Sequence, residues 1–202
     1  MTRSVIYSTM VSLDGFMEGP NRELDWVIVD EELHRYINDQ QRAIDTYLYG
    51  RRMYELMVSY WPTADADPSA PPYILEFAEI WKNMPKLIFS TTLTQVEWNS
   101  SLVTEDLAQV VTRLKSLPGK DLALGGSHLA STLMHLDLVD EYQLFVQPIV
   151  LGSGTRLFPP LNHKSELKLA EVVPFGSGVV LLRYQRPDKA QRLAAREDSS
   201  PR

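Results

Sequence analysis

The chain has 202 residues, 44% of them hydrophobic and 23% charged, with a formal net charge of −6. That balance fits one folded domain with a substantial core, and the acidity argues against nucleic acid or an anionic membrane surface as the main partner. Without cysteine there is no disulfide, thiolate metal site or thiol nucleophile, and no apolar run approaches bilayer length. The opening MTRSVIYSTMVSLDG lacks the apolar segment of a secretory signal, so the cytoplasm is the expected location.

Residues 5–10 form a β-branched and aromatic run that predicts a central strand. Ser12-Leu13-Asp14-Gly15 turns the chain and Gly19-Pro20-Asn21 turns it again, leaving 16–29 as a loop with Phe16 and Trp26 in it. Leu33, Tyr36, Ile37 and Ile44 fall near helical spacing and predict a helix over 30–44, capped by Asp30 with Glu31 and Glu32 in its first turn. Residues 46–49 read as a second strand ended by Gly50, and 51–58 as a helix. A proline-rich loop over 62–72 leads to a helix over 73–81, a strand over 86–90 and a short strand over 96–98. A helix over 102–117 ends at Pro118-Gly119. Leu122, Ala123 and Leu124 then make a short buried strand, Gly125-Gly126 a tight turn, and Ser127 the cap of the next helix.

The longest predicted strand, 141–151, is broken by Gly152-Ser153-Gly154 and is suited either to pairing subunits or to a covered central place. Residues 167–173 and 179–184 predict a hairpin, and the charged, small-residue segment from Pro187 onward reads as a disordered tail. Strands alternating with helices predict an α/β domain over 1–186. It has a mostly parallel central sheet, helices on both faces and an antiparallel C-terminal edge hairpin.

Ligands of such sheets bind beyond the carboxyl ends of the strands, so three strand exits carry the chemistry. At Gly50-Arg51-Arg52, two arginines sit in a helix's first turn, where the macrodipole opposes them. A bound phosphate reverses that cost through charge-assisted hydrogen bonds. Ser90-Thr91-Thr92 offers three hydroxyls, and Gly125-Gly126-Ser127 offers free helix N–H groups. Each alone is equally an ordinary feature: solvated arginines, strand-end hydroxyls, a tight turn. Together they make an anion-binding rim. No Gly-x-Gly-x-x-Gly element is present, and no acid stands where it would hold a free ribose 2′-hydroxyl. Arginines with hydroxyls suit a 2′-phosphate, which favours NADPH over NADH.

The order of VIYSTMVSLDGF, YGRRMYE, LIFSTT, LALGGSHLASTLM and VQPIVLGSGTRLFP resembles the dihydrofolate-reductase-like superfamily. Within it the resemblance is closest to the reductase domain of bacterial riboflavin biosynthesis, over about residues 3–186. It implies that fold, NADPH as hydride donor and a homodimer. It sets Gly50, Arg51 and Arg52 against cofactor phosphates, Ser90 and Thr91 at the adenosine 2′-phosphate, and Gly125, Gly126 and Ser127 at the pyrophosphate. Two features depart from the riboflavin enzymes. Their Asp-x-Pro-x-Leu-x-x-Arg-like stretch is replaced by MYELMVSYWPTADAD, and the basic residue after Ser-Leu-Asp-Gly is Phe16. For dihydrofolate reductase itself, Trp26 and an acid on the next helix would match, Asp30 being nearest.

Hydride transfer needs position, a dry pocket and, for some acceptors, a proton. Asp30 and Asp14 are the candidate proton donors, with N-cap and turn-former as their other readings. Phe16, Trp26 and Trp61 are candidates to wall a flat heterocycle or simply to fill the core. The histidines at 34, 128, 135 and 163 show no metal-ligand spacing, so no metal is expected. The expected activity is an NADPH-dependent reductase of a flat nitrogen heterocycle of pterin or pyrimidine type. The best-named substrate is 5-amino-6-(5-phosphoribosylamino)uracil. The alternatives are a nucleotide-binding module without catalysis and a dihydrofolate reductase.

Overall fold

The computed structural model describes residues 3–161 and 164–187, so His163 and the expected tail after Pro187 lie outside the described residues. Its elements in chain order are β1 (Val5–Ser12), β2 (Phe16–Glu18), α1 (Glu31–Gln40), β3 (Ile44–Gly50), α2 (Arg51–Val58) and α3 (Pro72–Asn83). Then come β4 (Lys86–Phe89), β5 (Ser100–Val103), α4 (Leu107–Ser116), β6 (Asp121–Gly125) and α5 (Ser127–His135). The chain closes with β7 (Glu141–Gln147), β8 (Thr155–Arg156), β9 (Lys168–Pro174) and β10 (Val180–Gln185).

Eight strands form one sheet in the order β5-β4-β3-β6-β1-β7-β10-β9. The first six are parallel, and β10 and β9 extend the sheet by antiparallel pairing. This is the α/β architecture expected. Alternation along the strands supplies two faces: Val5, Tyr7, Leu48, Leu122 and Leu124 pack under α4 and α5. Ile6, Tyr47, Tyr49 and Ile88 pack against Tyr54 of α2 and Phe77 and Trp81 of α3. Leu33 of α1 covers Phe145, Val179 and Leu181 farther along the second face. Among the described residues no helix is long and apolar enough to cross a membrane.

Several boundaries differ from the sequence expectation, each for a physical reason. The helix expected over 30–44 stops at Gln40, and a 3-10 turn over Gln41–Ala43 hands Ile44 to β3, where it pairs with Asp121. Ile44 kept helical spacing from Ile37 by coincidence. The expected strand over 96–98 does not form, because Trp98 and Asn99 adopt φ of 58° and 54° and turn the chain. The strand lies just after them, at Ser100–Val103, in what read as the start of a helix. That helix begins only at Leu107, where the Asp106 carboxylate accepts from the Gln109 N–H at 2.9 Å. The proline-rich segment contains a 3-10 helix over Trp61–Ala66. The loop expected over 16–29 starts with a strand, β2, which pairs with β8. β7 stops at Gln147, before Pro148, and lies between β1 and β10, so it is a covered interior strand.

Candidate functional site

The sheet order sets β4, β3 and β6 side by side, so the three exits marked in the sequence are neighbours. They open on one cleft of about 1170 Å³, whose lining includes Gly50, Arg51, Arg52, Ser90, Thr91, Gly126 and Ser127. That volume exceeds the roughly 300–1,000 Å³ typical of drug-sized ligands. Leu24, Leu56, Phe89, Val103, Leu107 and Leu157 give the cleft apolar surface, and four arginines, at 22, 51, 52 and 156, give it cationic groups.

The helix ends are capped in different ways. α1 and α4 begin with Asp30 and Asp106, whose carboxylates take the N–H groups of Leu33 and Gln109 at 2.9 Å, while α3 begins after Pro71 with no side-chain cap. At the cleft, α2 and α5 begin with Gly50 and Gly126, and neither receives a side-chain cap. No acid occupies the first turn of either helix. Two positive helix ends therefore face the same space with their first N–H groups open to a ligand's oxygens. Gly126, not Ser127, is the N-cap of α5. Its φ of 97° lies in the left-handed region, and a Cβ there would stand 3.1 Å from the Met53 Cβ.

The other predicted residues sort as follows. Gly125 does not line the cleft: it is buried, and a Cβ on it would meet the Tyr49 ring at 2.8 Å, so it is a packing glycine. The Ser90 hydroxyl accepts the N–H groups of Thr92 and Leu93 at 3.2 and 3.1 Å, closing the turn after β4, while Thr91 is exposed at the rim. Arg51 bonds the Thr92 hydroxyl at 3.0 Å and pairs with Glu55 at 2.9 Å. Arg52 pairs with Glu18. Both guanidinium groups are about half exposed and held at the cleft wall.

Neither candidate acid lines the cleft, and both are structural. Asp14 accepts the Ser12 hydroxyl at 2.7 Å and the N–H groups of Leu151 and Gly152 at 3.1 and 2.7 Å. These bonds, the serine's first, hold its carboxyl down to a pKa of about 2, the reverse of what proton donation requires. Asp30 is the N-cap of α1. The aromatic candidates are displaced too. Phe16 is buried with the Arg156 guanidinium 5.1 Å over its ring. Trp26 donates to the Glu23 carbonyl at 3.1 Å, and Trp61 packs on Phe77 with ring centroids 4.4 Å apart.

Cleft residues outside the three exits include Glu18, Arg22, Leu24, Thr155 and Arg156 from β2, β8 and the loop after β2, and Val103, Glu105 and Leu107 from the β5–α4 connection. The β2–β8 pairing joins segments more than 130 residues apart, so no local pattern marks it. β1 pairs with β6 only through Tyr7, whereas its pairing with β7 continues to Ser12, so one edge of Ser8–Ser12 has no β6 residue opposite it.

This sheet, with its antiparallel end and its cleft across the exits of β3, β4 and β6, defines a reductase-fold protein of the dihydrofolate-reductase-like type. A Shewanella sp. PV-4 protein named for riboflavin biosynthesis superposes with a TM-score of 0.73 at 22% identity, over 92% of this chain and 99% of that one. The dihydrofolate reductase of Enterococcus faecalis, solved with NADP(H), gives a TM-score of 0.60 at 14% identity, over 93% of this chain and all of that one. At those identities the likeness is one of fold. The chain belongs to the RibD C-terminal domain family, which it matches over residues 3–181. It is 37% identical to the uncharacterized protein YyaP of Bacillus subtilis (strain 168) over 186 residues, 90% of this chain and 94% of that protein.

Proposed function

We propose that the protein is an NADPH-dependent reductase that delivers a hydride to a flat nitrogen heterocycle of the pterin or aminopyrimidine class. The observation that carries this reading is the convergence of two glycine-capped helix ends, Arg51, Arg52 and the Thr91–Thr92 hydroxyls on one cleft. Open N–H groups and guanidinium forks fit the several phosphate oxygens of a dinucleotide, and the Arg51–Thr92 corner fits a 2′-phosphate. NADPH, when bound, supplies the hydride. The chain's own residues hold phosphates at α2 and α5, and the apolar side chains of Leu24 and Leu157 exclude water. Neither Asp14 nor Asp30 lines the cleft, so neither is placed there to give the product a proton.

The riboflavin-pathway pyrimidine, 5-amino-6-(5-phosphoribosylamino)uracil, is the named substrate this family membership favours. A homodimer goes with the reading: the edge strand β9 exposes Leu169 and Val172 by about half. The test is NADPH oxidation at 340 nm against a panel of pterins and aminopyrimidines, the riboflavin intermediate among them. At least one is expected to be reduced in stoichiometric turnover. Binding of NADPH with no consumption by any of them would leave a nucleotide-binding module instead.

A further inference from the structure

A second cavity, of about 590 Å³, lies at the opposite end of β3 and β4 from the cleft. It opens where the end of α1, the 3-10 turn after it, α3 and the connection before β4 meet. Its volume falls within the roughly 300–1,000 Å³ of small-molecule sites. Ile80, Met84 and Pro85 give it an apolar wall. The cleft gathers helix N-termini, whereas this cavity gathers C-termini. α1 ends beside it with no basic residue in its last turn. α3 also ends there, and Lys82, the basic residue of its last turn, is drawn away to both Asp65 oxygens at 2.7 Å. Two negative helix ends are left facing one space.

The carboxylates on the cavity wall add to that potential. Asp45 is neutralised by Arg3, but Glu76 and Glu79, one turn apart on α3, are not. Arg42 reaches Glu76 only at 3.9 Å and lies nearer Asp39, at 3.1 Å. Among the described residues the Glu79 carboxylate has no hydrogen-bond or ion-pair partner. Glu76 is held in place from inside the protein. Its Oε2 accepts the Asn38 amide at 2.9 Å, and Asn38 is 1% exposed. The same amide donates to the Tyr73 carbonyl at 2.9 Å, and the His34 Nδ1 donates to its oxygen at 3.1 Å. An anion entering this space meets two carboxylates. A bare metal ion leaves the apolar wall unused, and among the described residues no three His, Cys, Asp or Glu side chains group as ligands for one. A positive charge on a hydrocarbon stem satisfies both walls. We infer that the cavity binds a small aliphatic amine, its ammonium between Glu76 and Glu79 and its stem along Ile80, Met84 and Pro85. The inference is independent of the function proposed for the cleft.

Pentylamine, pentanol and pentanoate share one stem and differ in charge, and methylamine carries the charge without the stem. Each is titrated at constant ionic strength into the isotope-labelled protein, following the Ile80 and Met84 N–H signals and the Asn38 side-chain amide by NMR. Pentylamine is expected to shift these signals to saturation and to bind about tenfold or more tightly than the other three. Glu76→Gln and Glu79→Gln are each expected to weaken it about threefold to tenfold. The glutamine at 76 keeps an oxygen for Asn38, so the junction of α1 and α3 is retained. Arg42→Gln, which removes the cation competing for Glu76, is expected to tighten pentylamine about threefold. Pentanol bound as tightly as the amine would overturn the inference. So would an amine affinity unchanged in Glu79→Gln, or pentylamine shifts confined to residues of the cleft.

Discussion

Replacing Lys86 by methionine is expected to destabilise the protein by about 1–3 kcal/mol, the range for leaving a buried polar group without its hydrogen-bond partner. Lys86 opens β4, is 1% exposed, and points its ammonium at three backbone carbonyls. It donates to those of Met84 and Trp98, each at 2.8 Å, and to that of Trp81. The Trp81 ring lies 4.2 Å beneath the same nitrogen. The ammonium therefore joins the end of α3 to the turn at Trp98 and Asn99 that precedes β5. Methionine matches the volume and leaves the three oxygens without their donor. Urea denaturation of the two proteins reads the difference.

The pH dependence of that difference has a definite sign. Burial pushes the Lys86 pKa down from its ordinary 10.5 to about 8 in the folded protein. Between about pH 8 and 10.5 the unfolded chain binds more protons than the folded one, so this group adds stability as pH rises through that window. The contribution is complete above 10.5 and is lost as pH falls to 8. The gap between wild type and Lys86→Met is accordingly expected to widen from pH 8 to 10. A constant or shrinking gap would show that the ammonium keeps its proton throughout.

Gly126→Ala is the second large effect and reaches function directly. An L side chain at a φ of 97° is strained by about 1–3 kcal/mol. Its Cβ would also press on Met53 at 3.1 Å, at the start of the helix that carries both arginines. Relief requires a shift of α2 or of the α5 N-terminus, and either moves N–H groups that the cleft presents to anions. Nucleotide affinity is expected to fall by about tenfold or more, roughly 1.4 kcal/mol, together with a lowered melting temperature. Gly125→Ala would test the contrast. Its Cβ would meet the buried Tyr49 ring at 2.8 Å and the Met53 Cγ at 3.1 Å, without the left-handed backbone of Gly126, so stability should fall with a smaller change in affinity than Gly126→Ala gives.

Where the sequence was legible, the physics was local or strongly periodic. The interior strands β3 and β6 are largely buried and show as apolar runs. Two of the three exits were marked by residues that break a rule, two arginines at a positive helix end and a glycine pair where one side chain would block the turn. Gly50, Arg51, Arg52, Gly126 and Ser127 from those exits line the cleft. The two acids lie off the cleft lining for the opposite reason. Asp14 and Asp30 occupy positions where carboxylates commonly serve the backbone, and that is what they do. Phe16, Trp26 and Trp61 also lie off that lining, because an aromatic residue carries no mark of which side of the chain it will face. Glu18, Thr155 and Arg156 lay beyond any local pattern. They reach the cleft through a pairing across most of the chain, and the anchor of that pairing, Asp14 on the N–H groups of Leu151 and Gly152, shows only in three dimensions.

Cationic and glycine-capped strand ends are expected to act together as a grip on a phosphorylated dinucleotide. A paired fluorescence titration of NADPH and NADH, on the wild type and on Arg51→Ala and Arg52→Ala, tests this most directly. The wild type is expected to prefer NADPH by about tenfold or more, and at least one variant to lose most of that preference while binding NADH nearly as before. Equal affinities for the two nucleotides in the wild type, or a preference untouched by either substitution, would contradict it.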